Sequence, residues 1–326
     1  MSVILALLLL LPLPALQDDP DAAYREDYAD YTEIAAMRDP AAQATAYLDF
    51  LEEGFDDRLL SAVIPGVQQA LVGVTQAGNY DAVYPLADRL AALHPDSVTA
   101  ARALGLEAAA MAGNSEQIVK YGEPFYQTNP SPQIALLLTR AFGQLGNEPK
   151  MLEYGQIALD SGEFPIADIW SIAYALLQNH DRNGRTTQAV DVARQLRSGV
   201  RTAPEGVSAG DWNGIQVYLL DLIARNDYEA KRYREALTSY DAVLTIQPCN
   251  QKALYFKGNA MLQTGSSVNE ATRALAKAAV LDGSYATPAR ELLESTYARN
   301  APGGAAGRFV NDALNEARRE PGCNRP

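Results

Sequence analysis

Ala230-Lys-Arg-Tyr-Arg-Glu-Ala-Leu-Thr-Ser-Tyr-Asp-Ala-Val-Leu-Thr-Ile-Gln-Pro248 is the stretch that decides how this chain is read. Tyr233, Ala236, Leu237, Tyr240, Val243 and Leu244 are its core-type residues. Their spacing of i, i+3, i+4, i+7 places them on one face of a helix. Pro248 stops that helix, because proline lacks the backbone N–H and its ring clashes with the preceding turn. A single helix of this length is marginal in water. The apolar stripe therefore requires a partner helix.

The partners follow from a period. Gly-Asn occurs at 78–79, 113–114 and 146–147, and Pro95 and Pro130 follow the first two at the same offset. A short amphipathic helix lies on either side of each Gly-Asn. The unit is a helix–turn–helix of about 34 residues, repeated head to tail. Six such units are expected between about residues 60 and 283. Tyr84 and Ala87 belong to the first, and Tyr121 and Phe125 to the next. Met151, Tyr154 and Ala158 mark a third. Trp170 and Tyr174 precede Ala189, Val192, Ala193 and Leu196 in a fourth. The segment 217–248 is the fifth. The sixth runs from Lys252 to Leu281, with Gly258, Gly265, Ala271, Leu275 and Ala278 in matching places. Met37 to Phe55 supplies the second helix of a degenerate leading unit.

The 217–248 unit resembles a tetratricopeptide repeat. Ala236 stands where that family has a small residue at the closest helix crossing, Tyr240 at its large aromatic, and Pro248 at its closing proline. Two helices at short axial distance leave no room for a branched side chain at the crossing. The resemblance implies an all-α fold, a right-handed α-solenoid of stacked helical hairpins, covering about two thirds of the chain. It also implies a protein or peptide partner, bound on the concave side lined by the first helix of each unit. The groove positions carried over are Gln68, Glu107, Arg140, Trp170, Tyr174, Tyr218, Arg225, Tyr255 and Asn259. Trp170 and Tyr174 are one turn apart and share a face. Aromatic and Arg anchors of this kind dominate protein and peptide hot spots. Packing between units is the competing role for each. Lys252 and Asn259 alone do not complete the carboxylate clamp found in some members of the family. A sugar or peptide fragment held in the aromatic groove is the alternative ligand.

The remaining features bound the function. The chain has 326 residues, of which 48% are hydrophobic and 21% charged, an ordinary globular composition. The formal net charge is −13, so no basic surplus exists to neutralise the phosphates of a nucleic acid. With 2 His and 2 Cys, neither a zinc cluster nor a disulfide-dense scaffold is available. No cofactor is expected. No phosphate loop, dinucleotide fingerprint, nucleophile elbow or zinc-protease helix occurs. His94 stands at a helix end, and His180 is placed in a turn. The acidic pairs Glu52-Glu53 and Asp56-Asp57 are adjacent and diverge, whereas acid–base catalysis needs convergence on one atom. A non-enzymatic scaffold or adaptor is the function expected.

Both ends carry information. Residues 3–16 are almost wholly apolar, too short for a membrane span and suited to the core of a secretory signal peptide. Residues 1–17 are read as that signal, cut near Gln17, with an uncleaved anchor or a buried core helix as the alternatives, since no basic residue precedes the run. Export to a periplasmic or extracellular location follows, without a stable membrane span after cleavage. Residues 18–30 are read as an acidic, disordered leader. Residues 31–200 and 210–300 form two repeat blocks, separated by a Gly-rich loop near Ser198–Asp211. Residues 301–326 form a tail, with a capping helix near Phe309–Arg318. In an oxidising compartment the even cysteine count suggests a Cys249–Cys323 disulfide.

Overall fold

The structure, a computed structural model, describes residues 21–300 and 305–320. Its regular elements among these are sixteen α-helices, with two short 3-10 turns and no strand. The helices are α1 (Ala22–Ala35), α2 (Pro40–Glu53), α3 (Leu60–Gln76), α4 (Tyr80–Leu93), α5 (Val98–Ala112), α6 (Ser115–Thr128), α7 (Pro132–Gln144) and α8 (Glu148–Ser161). They continue as α9 (Trp170–Arg182), α10 (Thr186–Gly199), α11 (Ala209–Glu229), α12 (Tyr233–Ile246), α13 (Gln251–Thr264), α14 (Val268–Val280), α15 (Ala286–Asn300) and α16 (Ala306–Arg319). The six expected hairpins are α3/α4, α5/α6, α7/α8, α9/α10, α11/α12 and α13/α14. The chain is an all-α array of tetratricopeptide-like hairpins.

One backbone device closes all six. At Gly113 the chain turns left-handed, φ 66°. The Gly113 N–H then donates to Ala110 O, and the Asn114 N–H reaches back to Ala109 O at 3.0 Å. This six-to-one bond satisfies carbonyls that the helix end leaves orphaned. The same pair of bonds recurs at Gly78, Gly146, Gly184, Lys231 and Gly265. The Gly-Asn period in the sequence is this cap repeated. Only Lys231 takes it without glycine, at φ 60°.

Between the helices the core is built from small residues at crossings and large ones beside them. Ala236 is fully buried, packed in one cluster with Leu220 and Ala224 of α11, Tyr240 and Val243 of α12, and Ala253 of α13. In the next hairpin a Cβ on Gly258 would come within 3.0 Å of the Ala271 carbonyl, so α13 and α14 touch where no side chain fits. Asp57–Gln76 is long and apolar enough to cross a membrane by length and composition. Its Val63, Val67, Leu71 and Val74 are nevertheless buried within the array, as in a core helix.

Three features differ from the sequence reading. First, residues 22–30 are helical rather than a disordered leader. Tyr24, Tyr28 and Tyr31 are spaced i, i+4, i+7 and form a ring ladder, with centroids 5.9 and 6.3 Å apart, that continues to Tyr47 of α2 at 6.0 Å. The Arg58 guanidinium lies 4.0 Å over the Tyr24 ring and bonds Asp21 and Asp56, while Asp27 accepts the Asp56 N–H at 2.7 Å. The dense acidic charge hid this aromatic stripe. Second, the chain divides into compact units at Tyr154–Gly155, inside α8, rather than at the 200–210 loop. The loop does not separate its flanks, because α10 packs on α11 across it. Arg194 reaches Asp227 at 2.7 Å and Arg197 bonds Gln216. Third, His180 is buried in the last turn of α9 instead of in a turn, with Nε2 3.0 Å from Gln156 Oε1. Burial and the Arg185 charge push its pKa down.

At the C-terminal end α15 and α16 add a further helix pair. The expected capping helix is α16, which buries Val310, Leu314 and Ala317 and leaves an outer side that is polar apart from the exposed Phe309. Arg273 and Lys277 of α14 both pair with Glu320 just beyond it. The signal segment 1–17 and Cys323 lie outside the described residues, and with them the proposed Cys249–Cys323 bond.

Candidate functional site

The second unit brings four of the expected groove residues together on α9 and α11. Trp170 and Tyr174, one turn apart on α9, have ring centroids 6.5 Å apart. Tyr174 meets Tyr218 of α11 at 6.3 Å with the rings perpendicular. The Tyr218 hydroxyl donates to Asp181 Oδ2 at 2.7 Å, and Arg225 Nη2 stands 3.4 Å from Asp181 Oδ1. Trp170, Tyr174, Tyr218 and Arg225 are all half-buried, as a ledge of anchors requires. Burial, the bond to Asp181 and that carboxylate's charge push the Tyr218 pKa upward, so its hydroxyl stays protonated and donating.

Asp181 is the residue that sequence reasoning missed. It organises the ledge, holding a phenol and a guanidinium from the neighbouring first helix. A second pair follows the same pattern, with Lys252 Nζ of α13 bonded to Asp221 of α11 at 2.7 Å. Both pairs are partly exposed, with side chains 27–39% accessible, so each contributes at most about 1 kcal/mol of stability. Their larger effect is electrostatic: Arg225 and Lys252 are each matched by a carboxylate.

The other expected positions fall elsewhere. Tyr255 joins a separate aromatic group with Phe256 and Tyr285, at 5.0 and 5.3 Å. Asn259 is half-buried and accepts from Gln263 at 3.4 Å. Arg140 is exposed on α7, and with Gln68 on α3 and Glu107 on α5 it belongs to the first unit.

The acidic pairs serve structure. Asp49 and Glu52 both hold Arg89 of α4. Asp56 caps a 3-10 turn, and its hydrogen bonds from the Arg58 side chain and backbone pull its pKa down to about 2. Among the described residues no group of three or more His, Cys, Asp or Glu is placed to hold a metal ion.

The sequence matches no protein-family model and no curated protein. Among solved structures it is similar to the MamA protein, at 13% identity and TM-score 0.29, over 64% of this chain and 98% of that one. It is also similar to the P58(IPK) TPR domain, at 13% identity and TM-score 0.32, over 87% and 81% of the two chains. A third is the TPR2AB domain of yeast Sti1 in complex with pHSP90, at 11% identity and TM-score 0.23, over 68% and 99%. These values are low, and the fold assignment rests on the hairpins and their caps.

Proposed function

We propose that this protein is a non-enzymatic scaffold or adaptor that binds a protein or peptide through the first-helix face of its second unit. The continuous Trp170–Tyr174–Tyr218 ledge, braced by Asp181 and Arg225, carries the reading. Rigid, half-buried aromatics offer large contact area at low entropic cost, and such residues dominate binding energy. Tyr255 and Asn259, on α13 of the same unit, are secondary positions, and Arg140, in the first unit, is a separate candidate. The test is capture of partners by the Trp170→Ala/Tyr174→Ala double variant. Each anchor is worth roughly 2 kcal/mol on truncation, so binding weakens about 30-fold or more while the melting temperature holds. Full affinity in the double variant overturns the assignment, and unfolding returns both rings to a packing role.

We further propose that the chain acts in the cell envelope or outside the cell, after loss of residues 1–17. The apolar run 3–16 followed by acidic residues supports this. Intact mass of the protein from its native compartment tests it, since a retained leader refutes cleavage. In that compartment Cys249 and Cys323 are bridged. Non-reducing peptide mapping recovers one cross-linked pair if so, and two alkylatable thiols if not.

A further inference from the structure

We propose a second site in the first unit, separate from the aromatic ledge: the cleft between α4, α5 and α6 takes a small aliphatic monocarboxylate, held by Arg102. Every other half-buried Lys or Arg among the described residues bonds a carboxylate or an amide, as Arg89 does with Asp49 and Arg197 with Gln216. Arg102 is half-buried too, yet no hydrogen bond, ion pair or ring contact engages it among the described residues. Its own helix has no acidic residue three or four positions away to supply one. A guanidinium that has given up part of its water without gaining a partner is costly, and an anion relieves that cost.

Arg102 lines a cavity of about 360 Å³. Val98, Ala101 and Arg102 are spaced i, i+3, i+4, so they share one face of α5. Ala87 and Ala91 supply the α4 side, with Ala87 and Ala101 buried, and the floor is therefore made of methyl groups. The α6 wall is held in place by contacts. Gly105, one turn beyond Arg102, leaves room for the Tyr121 ring, which a Cβ there would meet at 2.7 Å. The Tyr121 hydroxyl stands 2.9 Å from Asp88 Oδ1, and Lys120 Nζ donates to Asp88 Oδ2 at 2.6 Å while lying 4.7 Å over the Tyr121 ring. Pro124 adds an apolar ring to the same wall.

The charges around the cleft choose the occupant. Of those lining it, Asp88 and Lys120 pair with each other, so Arg102 leaves one net positive charge. Glu123 is bound to Lys150. Asp96, Glu107 and Glu116 are exposed and outside the lining, where water and salt screen them. One positive charge suits one carboxylate, which the planar guanidinium holds through two parallel hydrogen bonds. A phosphate monoester would set its second charge against Asp88. A peptide segment would bring backbone N–H and C=O groups against methyl groups, since Lys120, Tyr121 and Asp88 already engage one another. A short hydrocarbon chain instead covers the alanine floor. The volume is at the small end of the range for ligand cavities.

The full chain is titrated with hexanoate by isothermal titration calorimetry. Hexanamide, hexylamine, acetate, hexyl phosphate and a blocked tripeptide with a central glutamate are the comparisons. Hexanoate binds tightest, and hexanamide and acetate bind about 10-fold more weakly or worse, one lacking the charge and the other the hydrocarbon. Arg102→Gln reduces hexanoate to the level of hexanamide without lowering the melting temperature, because no partner is lost. Ala91→Leu keeps the guanidinium but fills the cleft, and it also blocks hexanoate. Equal affinity for hexanoate and hexanamide overturns the proposal, as does hexanoate binding unchanged in Arg102→Gln. Tighter binding of hexyl phosphate or of the tripeptide assigns the cleft to another ligand class and overturns it as well. Should Arg102→Gln unfold, Ala91→Leu decides, since hexanoate binding retained there refutes the cleft. The Trp170–Tyr174 ledge lies in the second unit and is judged by its own variants.

Discussion

Lys231 occupies the one hairpin cap, of the six, that lacks glycine, and replacing it isolates the energetics of that cap. Its φ of 60° lies in the left-handed region, which costs an L-residue roughly 1–2 kcal/mol. Lys231→Gly removes that strain. Against it stand the extra freedom glycine gives the unfolded chain, about 0.4–1 kcal/mol, and the loss of a cation near the end of α11, about 0.3–1 kcal/mol. Lys231→Ala loses the cation and keeps the strain, so the difference between the two variants reports the backbone alone. Glycine should exceed alanine by about 0.5–1 kcal/mol, the strain less the unfolded-state cost. For a unit of the size of Gly155–Pro326 this is about 1–4 °C in melting temperature, read by scanning calorimetry. Gly265→Ala is the reverse backbone exchange in the same unit, where a new Cβ meets nothing within 4 Å. It should lower stability by a similar amount. Glycine melting no higher than alanine at 231, together with a neutral Gly265→Ala, would refute the claim that these left-handed caps set the repeat.

Three further outcomes are expected. Ala236→Leu overpacks a site with no accessible surface and should cost about 1–3 kcal/mol, read as a lower denaturant midpoint; an unchanged midpoint contradicts the close α11–α12 crossing. Arg58→Ala removes the clasp on Asp21, Asp56 and the Tyr24 ring, so circular dichroism at 222 nm should lose roughly the signal of α1 while the main melting transition stays in place; unchanged ellipticity refutes the clasp. Burial raises the pKa of Tyr121, Tyr218 and Tyr240, and that of Tyr154 and Tyr228 to about 12, each with lesser contributions from nearby groups. Folded values above the ordinary 10 mean that this stability is complete below pH 10 and is lost as pH climbs towards 12. The urea midpoint should fall between pH 9 and 11.5, with part of the 17 tyrosines still un-ionised at 295 nm until unfolding; uniform ionisation near pH 10 in folded protein would contradict their burial.

The hairpins were legible in the sequence because each is closed by local interactions. A stripe at i, i+3, i+4, i+7 and a glycine at the left-handed cap act within a few residues of one another. The stripe around Ala236 and the caps at Gly78, Gly113 and Gly146 could therefore be read directly. Even Lys231, without glycine, did not hide its hairpin, since the flanking stripe was strong. Reading α1 failed for a local reason too: its acidic residues masked three tyrosines on one face, and the clasp that fixes them comes from Arg58, more than thirty positions along. The ledge was half legible. Trp170 and Tyr174 share a face by spacing alone, and repeat position carried Tyr218 and Arg225. The sequence set no register between α9 and α11, so it could not show Asp181 holding both Tyr218 and Arg225, or Tyr174 perpendicular to Tyr218. Those pairings depend on how far one helix slides along its neighbour. That slide is settled by side-chain packing between hairpins, a sum of many small contacts that no short stretch of sequence contains.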